Sequence, residues 1–509
     1  MADLRRFGPW LALAACAAWC AWFARGAPID DAFITFRYAA NLVTGHGLVF
    51  NPGERVEGYS NFLWTILIAA GLRLGVDPVA AAKALGAGFA LLAVAVTARA
   101  LRRDETTPST MGILAALLLG SSPVFALWAV HGLETALFTL LVTAGLCEDA
   151  AALEARRVPR WSSLWYALAA LTRPEGPLFF VLSAGLGLVS APRAWRSRAA
   201  AYWLAIFVVI VGGHLAWRYA YYGELLPNTY YAKVGLSVAT VSRGLAYLGR
   251  FFLAPGAAGI AALAAVGVLL ARRRAVAFLA VVLVAYLTTV CAEGGDAFGG
   301  HRFIVPMLPA LYLMAGAGAQ ALLVRAGTGK RRIGIAAAIA VVIVLHGAEA
   351  FDPARDESAH GDRFSTSMRT VGEGLARHFP AGTLVALNPA GAIPYYSGFP
   401  AIDMLGLTDH HIARVHIGDI GAGKAGHEKG DGAYVLRRRP DIILLGNVTL
   451  VPDQEAAARA TQFTAFHRSE RELLADPELF RLYRRAAIPL ADGSWLVFVR
   501  RADVTVLAP

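Results

Sequence analysis

Charged residues are scarce in this sequence, and their scarcity decides its broad class. Asp, Glu, Lys and Arg make up 16% of the 509 residues, whereas hydrophobic residues make up 57%. Soluble globular domains contain about 25% charged residues. The composition therefore excludes an ordinary soluble protein and predicts a polytopic α-helical membrane protein.

Cysteine is scarce as well, with 4 residues in the chain. Cys16, Cys20, Cys147 and Cys291 all lie in or at the ends of apolar segments. Their spacing matches neither a disulfide framework nor a set of metal ligands. No acidic cluster has the spacing of cation ligands either, so we expect no cofactor and no resident metal, with dependence on a divalent metal left open.

Basic residues exceed acidic ones and give a formal net charge of +11. Such an excess can indicate nucleic-acid binding, but here Lys and Arg fall in short clusters between apolar runs. Clusters of this kind are typical of cytoplasmic loops that face anionic lipid. We therefore expect membrane lipid as a partner and no nucleic acid.

Apolar runs of helix-forming length recur along residues 1–350. The first, residues 10–23, follows Arg5 and Arg6 and continues past Cys16, so we interpret it as a retained first span. Further runs cover residues 79–101, 110–127, 134–150, 161–172, 176–191, 199–219, 256–271, 274–291, 303–324 and 332–350. Together these runs predict about eleven transmembrane helices.

Basic clusters at alternate junctions between the runs set the predicted topology. They lie at residues 102–103, 156–160, 193–198, 272–274 and 330–332. Because cytoplasmic loops are enriched in Lys and Arg, we place all of them inside, with the N-terminus inside and the C-terminus outside. The short run 62–75 would invert this order if it crossed, so we interpret it as a juxtamembrane helix in the outer interface. The expected location is a bacterial inner (plasma) membrane.

After residue 350 the composition changes to that of a soluble domain. We therefore divide the chain into a transmembrane domain, residues 1–350, and an extracytoplasmic α/β domain, residues 351–509. Strands are predicted at residues 383–388, 440–445 and 494–500, and helices at residues 456–463 and 476–483.

Two motifs in this domain are weak. A G-x-G-x-x-G match at residues 421–426 has no strand before it, so we interpret it as chance. Residues 409–411 and 426–429 contain His and acidic side chains, but without helical spacing they read as solvated loops.

The chemistry is predicted to centre on residues 30–62, directly after the first span. Asp30 and Asp31 are adjacent carboxylates at a membrane surface, and like charges this close raise one apparent pKa, which gives the pair the character of a base. Arg37, Arg55 and Glu57 follow in the same stretch. The alternative is a solvated loop whose acids cap helices, which on spacing alone has equal weight.

The other outer loops also combine acids and bases. Their candidate substrate-binding residues are His131, Glu134, Arg173, Glu175, Asn228, Tyr230, Lys233, Asp296, His301 and Arg302. In any one of these loops the polar side chains can be explained as anchors at the level of the lipid headgroups. That explanation does not account for acids paired with bases in every loop on one side. We expect these side chains to converge with Asp30 and Asp31 beside an apolar groove.

Residues 30–64, 131–134, 172–176, 227–233, 294–306 and 390–408 together resemble the C-type (GT-C) glycosyltransferase superfamily. Within it they resemble the mycobacterial terminal β-arabinofuranosyltransferase family. The resemblance implies that residues 1–350 form a GT-C catalytic domain that takes a sugar from a polyprenyl-phosphate donor. It also implies a glycan acceptor outside the cytoplasm and a C-terminal domain that binds it. Where relatives have an acid before residues 390–396, this chain has Asn388.

The expected reaction is an inverting transfer of arabinofuranose, or of another pentose or hexose, with Asp30 or Asp31 as general base. Cationic side chains would stabilise the departing phosphate. The leading candidates for this role are Arg173, Lys233, His301 and Arg302. One alternative is a polytopic lipid or solute transporter. Such proteins often have ionisable residues in the middle of their spans and two halves of related sequence, and here such charges are sparse and no clear repeat is present. The other is the same fold acting on a protein or lipid acceptor, which no residue distinguishes.

Overall fold

The computed structural model of the chain describes residues 2–100, 109–233, 235–349 and 363–507, and for residues 2–5 it describes only the backbone. The basic cluster at residues 102–103 and the predicted boundary between residues 350 and 351 lie outside the described residues.

The part of the chain before residue 350 is helical. Its first helices are α1 (Ala2–Phe23), α2 (Asp30–Val43), α3 (Phe62–Arg73), α4 (Pro78–Ala98), α5 (Thr110–Gly120), α6 (Pro123–Val130), α7 (Thr135–Glu154) and α8 (Ser162–Ala170). They are followed by α9 (Gly176–Ser190), α10 (Arg198–Tyr222), α11 (Asn228–Lys233), α12 (Val238–Phe252), α13 (Pro255–Ala271), α14 (Arg274–Ala292), α15 (Leu308–Arg325) and α16 (Lys330–Ala348). Short 3-10 turns occupy Ala194–Arg196 and Val305–Met307.

Six helices of the described chain are long and apolar enough to cross a membrane: α4, α7, α10, α14, α15 with the turn before it, and α16. Two bent pairs, α5 with α6 and α12 with α13, raise this number to 8 if each pair is one span. The sequence predicted about eleven, and every predicted run is mainly helical over its described residues, but α1 is not among these candidates, and α8 has 9 residues and α9 has 15. At about 1.5 Å per residue neither crosses a hydrocarbon core of about 30 Å alone.

The run at residues 62–75 forms the short helix α3, whose 12 residues cannot span a bilayer by themselves. The structure therefore agrees with the interpretation that it does not cross. Trp64 is buried and donates a hydrogen bond from its indole Nε1 to the Gly132 carbonyl at 3.1 Å. This bond fixes α3 against the loop that precedes α7.

The C-terminal part combines helices with a sheet. Its elements are α17 (Arg363–His378), β1 (Val385–Leu387), α18 (Ala392–Ser397), β2 (Ala401–Asp403), α19 (His410–Arg414), α20 (Gly432–Arg438) and β3 (Ile442–Ile443). They continue with β4 (Thr449–Val451), α21 (Gln454–Arg459), α22 (Arg468–Ala475), α23 (Pro477–Leu482), β5 (Tyr483–Pro489) and β6 (Trp495–Arg501).

The sheet runs in the order β2-β1-β3-β6-β4, with β5 also paired to β6. Strand β1 is parallel to both β2 and β3, whereas β6 is antiparallel to its partners. Successive side chains of a strand point to opposite faces. Val385 and Leu387 accordingly join the core shared with the helical part, and Ala386 joins a second core on the other face.

Sequence reasoning located β1, β3 and β6 and placed helices near α21 and α23. It missed β2, β4 and β5, as well as the helices α17, α18, α19, α20 and α22. The missed strands β2 and β4 have three residues each, too few for an alternating pattern to be recognised.

Helix α2 joins the C-terminal part to the helical part. Arg37 donates hydrogen bonds to the carbonyls of Pro394 and, at 2.7 Å, of Phe399. The Asn51 amide forms a two-way pair with the backbone of Ala401, donating to its oxygen at 2.9 Å and accepting from its nitrogen at 3.0 Å. The rings of Tyr395 and Tyr396 pack against Phe33. The two parts therefore meet through buried polar bonds as well as apolar packing.

Candidate active site

A cavity of about 1220 Å³ lies where the helical part meets the C-terminal part. The beginnings of α2 and α7, the turn between α8 and α9, helix α11 and the loop after α14 line it from the helical part. The turn after β1 and loops around residues 423–428 and 466–471 line it from the C-terminal part. The cavity is therefore built from segments that are far apart in sequence.

Most of the predicted site residues line this one cavity. They are Asp30, Asp31, His131, Glu134, Arg173, Glu175, Tyr230, Lys233, Asp296 and Arg302. The remaining candidates, Arg37, Arg55, Glu57, Asn228 and His301, are not among the lining residues. The expected convergence of carboxylates and cations on one space is thus what the structure shows.

The two adjacent aspartates have different surroundings. Asp30 is buried, and its carboxylate accepts hydrogen bonds from the backbone nitrogens of Gly391, at 3.1 Å, and Ala392, at 2.9 Å. Asp31 is half-buried and lines the cavity, and no described residue forms a hydrogen bond or ion pair with its side chain. Asp30 therefore holds the turn after β1, and Asp31 presents an unengaged carboxylate to the cavity.

Arg173 lies in the turn between α8 and α9 and binds two carboxylates. Its Nη1 is 2.8 Å from Glu134 Oε1, and its Nη2 is 2.7 Å from Glu175 Oε1. Burial raises the pKa of the Glu134 carboxyl, but Arg173, Arg302 and a hydrogen bond from Asn61 outweigh it and hold that pKa below its ordinary value. Two carboxylates on one guanidinium leave this group of side chains with a net negative charge.

Arg302 forms a second buried ion pair, with Asp296. Its Nε is 2.8 Å from Asp296 Oδ2, and its Nη2 is 3.0 Å from Oδ1. The guanidinium also lies over the rings of Trp128, Phe298 and Phe303 at 5.0–5.4 Å from their centroids. This bidentate pair is electrically neutral and is held rigidly by aromatic side chains.

Lys233 ends helix α11 and is exposed to the cavity. Within the described ranges it has no ion-pair partner, so its ammonium group is a net positive charge at this wall. The side chain lies against Gly426 of the glycine-containing loop, where a Cβ atom would come within 3.1 Å of it. The absence of a side chain at this position therefore leaves room for the lysine.

The loop at residues 426–429 corrects an expectation from sequence, because its residues are buried or half-buried next to the cavity, whereas Gly423 and Lys424 are exposed. Glu428 accepts hydrogen bonds from the backbone nitrogens of Gly421 and Gly423 and pairs with Arg243 at 3.2 Å. Burial lowers the pKa of His427 to about 4, with Asp31 opposing that shift. The glycines serve this compact turn, in agreement with a chance match to the dinucleotide motif.

Arg37 and Asn228 lie outside the cavity lining and act as clamps between chain segments. Besides its bonds to the C-terminal part, Arg37 donates from Nε to the Phe50 carbonyl at 2.7 Å. Asn228 donates from Nδ2 to the carbonyls of Gly406 and Asp409. Asn228 Oδ1 also accepts from Arg414 Nη1 at 2.8 Å, so both side chains are engaged in contacts that organise the walls of the cavity.

Glu57, Arg55 and His301 also lie away from the lining. Glu57 is buried against Arg218, with Oε2 and Nε 2.8 Å apart, and burial raises its pKa to about 7 against the opposing charge of that arginine. Arg55 is exposed and lies over the Tyr221 ring, 4.8 Å from its centroid. The His301 ring packs against two aromatic rings of α12, each 5.4 Å away.

Several lining residues were not among the candidates. Glu293, Asn388, Lys424, His427, Phe466 and Arg471 all face the cavity. Glu293 carried the same signal as Asp296, an acid in an outer loop, and could have been included. The others come from loops and from helix α22 of the C-terminal part, and only the fold brings these segments to α2 and α11.

No group of three or more His, Cys, Asp and Glu residues in the described part of the chain is arranged to hold a metal ion. Metal independence stays a prediction, because substrate phosphates supply ligands of their own.

Comparison with known proteins supports the same architecture. The domain of unknown function DUF8728 matches residues 358–498. The terminal β-(1→2)-arabinofuranosyltransferase of Mycobacterium tuberculosis is 32% identical over 274 residues, which cover 48% of this chain and 41% of that protein. Its counterpart from Corynebacterium glutamicum is 26% identical over 337 residues, covering 58% and 48%. The chain thus spans about half the length of the curated relatives it matches.

Solved structures extend the similarity to almost the whole chain. ArnT from Cupriavidus metallidurans, bound to undecaprenyl phosphate, matches with a TM-score of 0.57 at 14% identity over 98% of each chain. The apo form of that protein gives a TM-score of 0.59. The chain therefore has the fold of ArnT, a helical part with several apolar helices followed by a sheet-containing C-terminal part. Its sequence is similar to the terminal arabinofuranosyltransferases.

Proposed function

We propose that this chain is a membrane glycosyltransferase that moves a sugar from a polyprenyl-phosphate donor to a cell-envelope glycan. The observation that carries the proposal is the shared cavity. It places the unengaged Asp31 carboxylate with the unpaired Lys233 ammonium group and the ion-paired Arg302. Glycosyl transfer from a lipid phosphate uses such a combination, a base for the acceptor hydroxyl and fixed cations for the departing phosphate.

The donor is proposed to be lipid-linked because the helical part contributes apolar side chains to the cavity. They include Leu178 of α9 and the rings of Phe298 and Phe303 from the loop after α14. An isoprenoid tail in the bilayer reaches a polar pocket along apolar side chains of this kind. The match to an ArnT structure that is bound to undecaprenyl phosphate supports the same donor class.

Asp31 is the proposed general base. An acceptor hydroxyl attacks the anomeric carbon of the donor sugar and forms the new carbon–oxygen bond, while its proton passes to the Asp31 carboxylate. The bond from the anomeric carbon to the phosphate oxygen breaks, and its electron pair leaves with the polyprenyl phosphate. One displacement of this kind inverts the anomeric centre. Asp30 is less suited to this step, because two backbone N–H groups already occupy its carboxylate and stabilise the ionised form.

Lys233 is the proposed partner of the departing phosphate. Arg173 is neutralised by Glu134 and Glu175, and Arg302 is neutralised by Asp296. An ammonium group without a carboxylate partner therefore supplies the net positive charge that stabilises the leaving group. Lys424, which is exposed on the facing loop, adds a second charge of the same sign.

The acceptor is proposed to enter from the C-terminal side. Phe466 lines the cavity there with 59% of its surface exposed, so its ring is free to pack against the apolar face of a sugar. The proposed sugar is arabinofuranose, by similarity to the named relatives, with other pentoses or hexoses as alternatives. The protein would lie in a bacterial inner membrane with this cavity and the C-terminal part outside the cytoplasm. The reaction is proposed to need no metal.

The test is to incubate the purified full-length chain in detergent with radiolabelled polyprenyl-phosphate sugars, one sugar at a time, and an oligoarabinoside acceptor. We expect the label of one donor to appear in a lengthened acceptor, equally in EDTA. The variant carrying both Asp30→Asn and Asp31→Asn should bind donor and transfer nothing. Consumption of no donor by the wild type would contradict the proposal. Movement of labelled lipid across vesicle membranes without transfer would favour a transporter instead.

A further inference from the structure

Asn388 has an amide side chain that no described residue satisfies. The residue is 3% exposed, and its Oδ1 and Nδ2 atoms are both buried. Neither atom has a hydrogen-bond partner within the described parts of the chain. Buried amide groups are almost always hydrogen-bonded, because a lost partner is costly away from water. The amide is therefore either destabilising in the free protein or paired with something that enters the cavity.

The position of Asn388 favours a cavity occupant. Asn388, Pro389 and Ala390 line the same cavity as Asp30 and Asp31. Asn388 directly follows β1, which is hydrogen-bonded to a parallel strand on each side. Ligands in α/β folds commonly bind beyond the carboxyl ends of parallel strands. The residue that carries the amide thus lies at the cavity wall, where a ligand would be expected on fold grounds alone.

The backbone that carries Asn388 is held in place. Three and four residues further along the chain, the nitrogens of Gly391 and Ala392 donate to the Asp30 carboxylate. A Cβ atom at Gly391 would clash with the Asp30 carbonyl oxygen, so the turn packs directly on α2. This contact couples the position of Asn388 to the start of the helix that carries Asp31, the proposed base.

An amide distinguishes between the groups of the proposed substrates. Its oxygen only accepts hydrogen bonds, and its nitrogen only donates them. An ionised phosphate has acceptors alone and would leave the amide oxygen unsatisfied. A pair of sugar hydroxyls supplies one donor and one acceptor, and so satisfies both atoms.

We propose that Asn388 binds neighbouring hydroxyl groups of the sugar that reacts beside Asp31, and that it thereby contributes to sugar specificity. The inference rests on the proposed function. Sugar hydroxyls are present on both the donor and the acceptor, so the experiment has one arm for each.

The donor arm compares wild type with Asn388→Leu, which keeps a side chain of similar size and removes the amide. Binding of polyprenyl phosphate and of polyprenyl-phosphate arabinofuranose is measured by thermal stabilisation of the purified full-length chain. We expect the Asn388→Leu variant without ligand to be as stable as wild type or more so, because an unsatisfied polar group is removed. Binding of the sugar-free lipid should be unchanged.

The acceptor arm measures the KM for octyl arabinofuranoside with the two proteins. We expect Asn388→Leu to weaken binding of the sugar-bearing donor by about tenfold, or to raise the KM for the acceptor by about tenfold. Analogues of the affected sugar that lack one hydroxyl should bind the wild type more weakly than the complete sugar does, by a similar factor. The Asn388→Leu variant should bind the analogue and the complete sugar almost equally, since the two changes remove the same hydrogen bond.

Each outcome bears on the inference. Equal binding and equal KM for wild type and Asn388→Leu would overturn it while leaving the proposed function intact, and would assign the amide to bound water. A uniform loss that includes the sugar-free lipid would also overturn it, because the role would then be structural. If wild type binds neither lipid, the proposed function itself fails.

Discussion

Two carboxylates and two cationic side chains around helix α2 are of the same kinds but in opposite states. Asp30 accepts two backbone hydrogen bonds, and Arg37 donates to three backbone carbonyls. Asp31 has no such partner among the described residues, and Lys233 of α11, which lines the same cavity, has none either. Polar groups that are fully paired hold the fold together, whereas polar groups left unpaired at a cavity are available for a substrate.

If unpaired groups at the cavity act on the substrate, the largest effect on the transfer rate should come from Asp31→Asn. Removal of the proposed base should lower the transfer rate by about 10²–10⁴-fold, because the acceptor proton has no other positioned base. Donor binding and thermal stability should change little, since the side chain supports no described contact. The measurement is initial-rate transfer of radiolabelled sugar, with thermal unfolding as the check on folding.

Asp30→Asn is the matched variant, one residue away. An amide cannot accept from both Gly391 and Ala392, so this variant should lose about 1–3 kcal/mol of stability and retain more transfer than Asp31→Asn. If the order is reversed, with activity lost at residue 30 and near-normal at residue 31, the assignment of base and anchor is exchanged.

Lys233→Gln should give the next largest effect. The substitution removes an unpaired charge from the cavity, and transition-state stabilisation by one fixed donor is worth about 10²-fold in rate. The loss should appear in kcat, with the unfolding temperature unchanged. Lys330→Gln is the control, because Lys330 is exposed at the start of α16 and does not line the cavity. Equal rates for both variants would remove Lys233 from the mechanism.

Arg37 and Arg55 were both candidates from sequence, but only Arg37 is hydrogen-bonded to backbone carbonyls of the C-terminal part. Comparing the two therefore tests whether paired polar groups hold the fold together. Arg37→Met should lower the free energy of unfolding by about 1–3 kcal/mol for each carbonyl left without a donor. Arg55→Met removes only an exposed contact with the Tyr221 ring, and should change stability by about 0.5 kcal/mol or less. Chemical denaturation in detergent measures both. A larger loss at Arg55 than at Arg37 would contradict the division of roles.

Glu293 should give the smallest effect, a dependence of stability on pH. Burial and the Glu175 carboxylate raise the pKa of Glu293 to about 8, against the opposing charge of Arg173. The folded protein thus keeps a proton that the unfolded chain loses near its ordinary pKa, so this group's contribution is complete at low pH and is lost as the pH rises through about 8.

The check is the unfolding temperature of wild type and Glu293→Gln between pH 5 and pH 9. Glutamine cannot ionise, so the unfolding temperature of the variant should rise relative to that of wild type as the pH rises. A difference that stays constant over this range would show that Glu293 has an ordinary pKa.

Much of the fold could be predicted from the sequence, because long apolar runs and clusters of Arg are strong signals. Every predicted run is mainly helical over its described residues, and the short run after Asn61 forms a helix too short to span. Fewer helices than the eleven predicted runs are long and apolar enough to span by themselves, because α8 and α9 are apolar but short and α1 is not among the candidates. Strands of three residues, such as β2, leave no periodic signal, since their pairing comes from the surrounding sheet.

The site was predicted in part for a similar reason. Asp31, Arg173, Lys233 and Arg302 could be found because charge next to a membrane segment is costly unless it has a role. Arg37 looks the same in the sequence, and only the fold shows that its guanidinium donates to backbone carbonyls of the C-terminal part. Asn388 carries no charge, and only the fold shows that its buried amide has no partner among the described residues.

The most direct measurement is a structure of Asp31→Asn determined with a polyprenyl-phosphate sugar that the wild type consumes. The account predicts the anomeric carbon beside residue 31, the phosphate beside Lys233, and the lipid tail along Leu178 and Phe303. A sugar bound elsewhere, or a phosphate held against the carboxylates of Glu134 and Glu175, would contradict it.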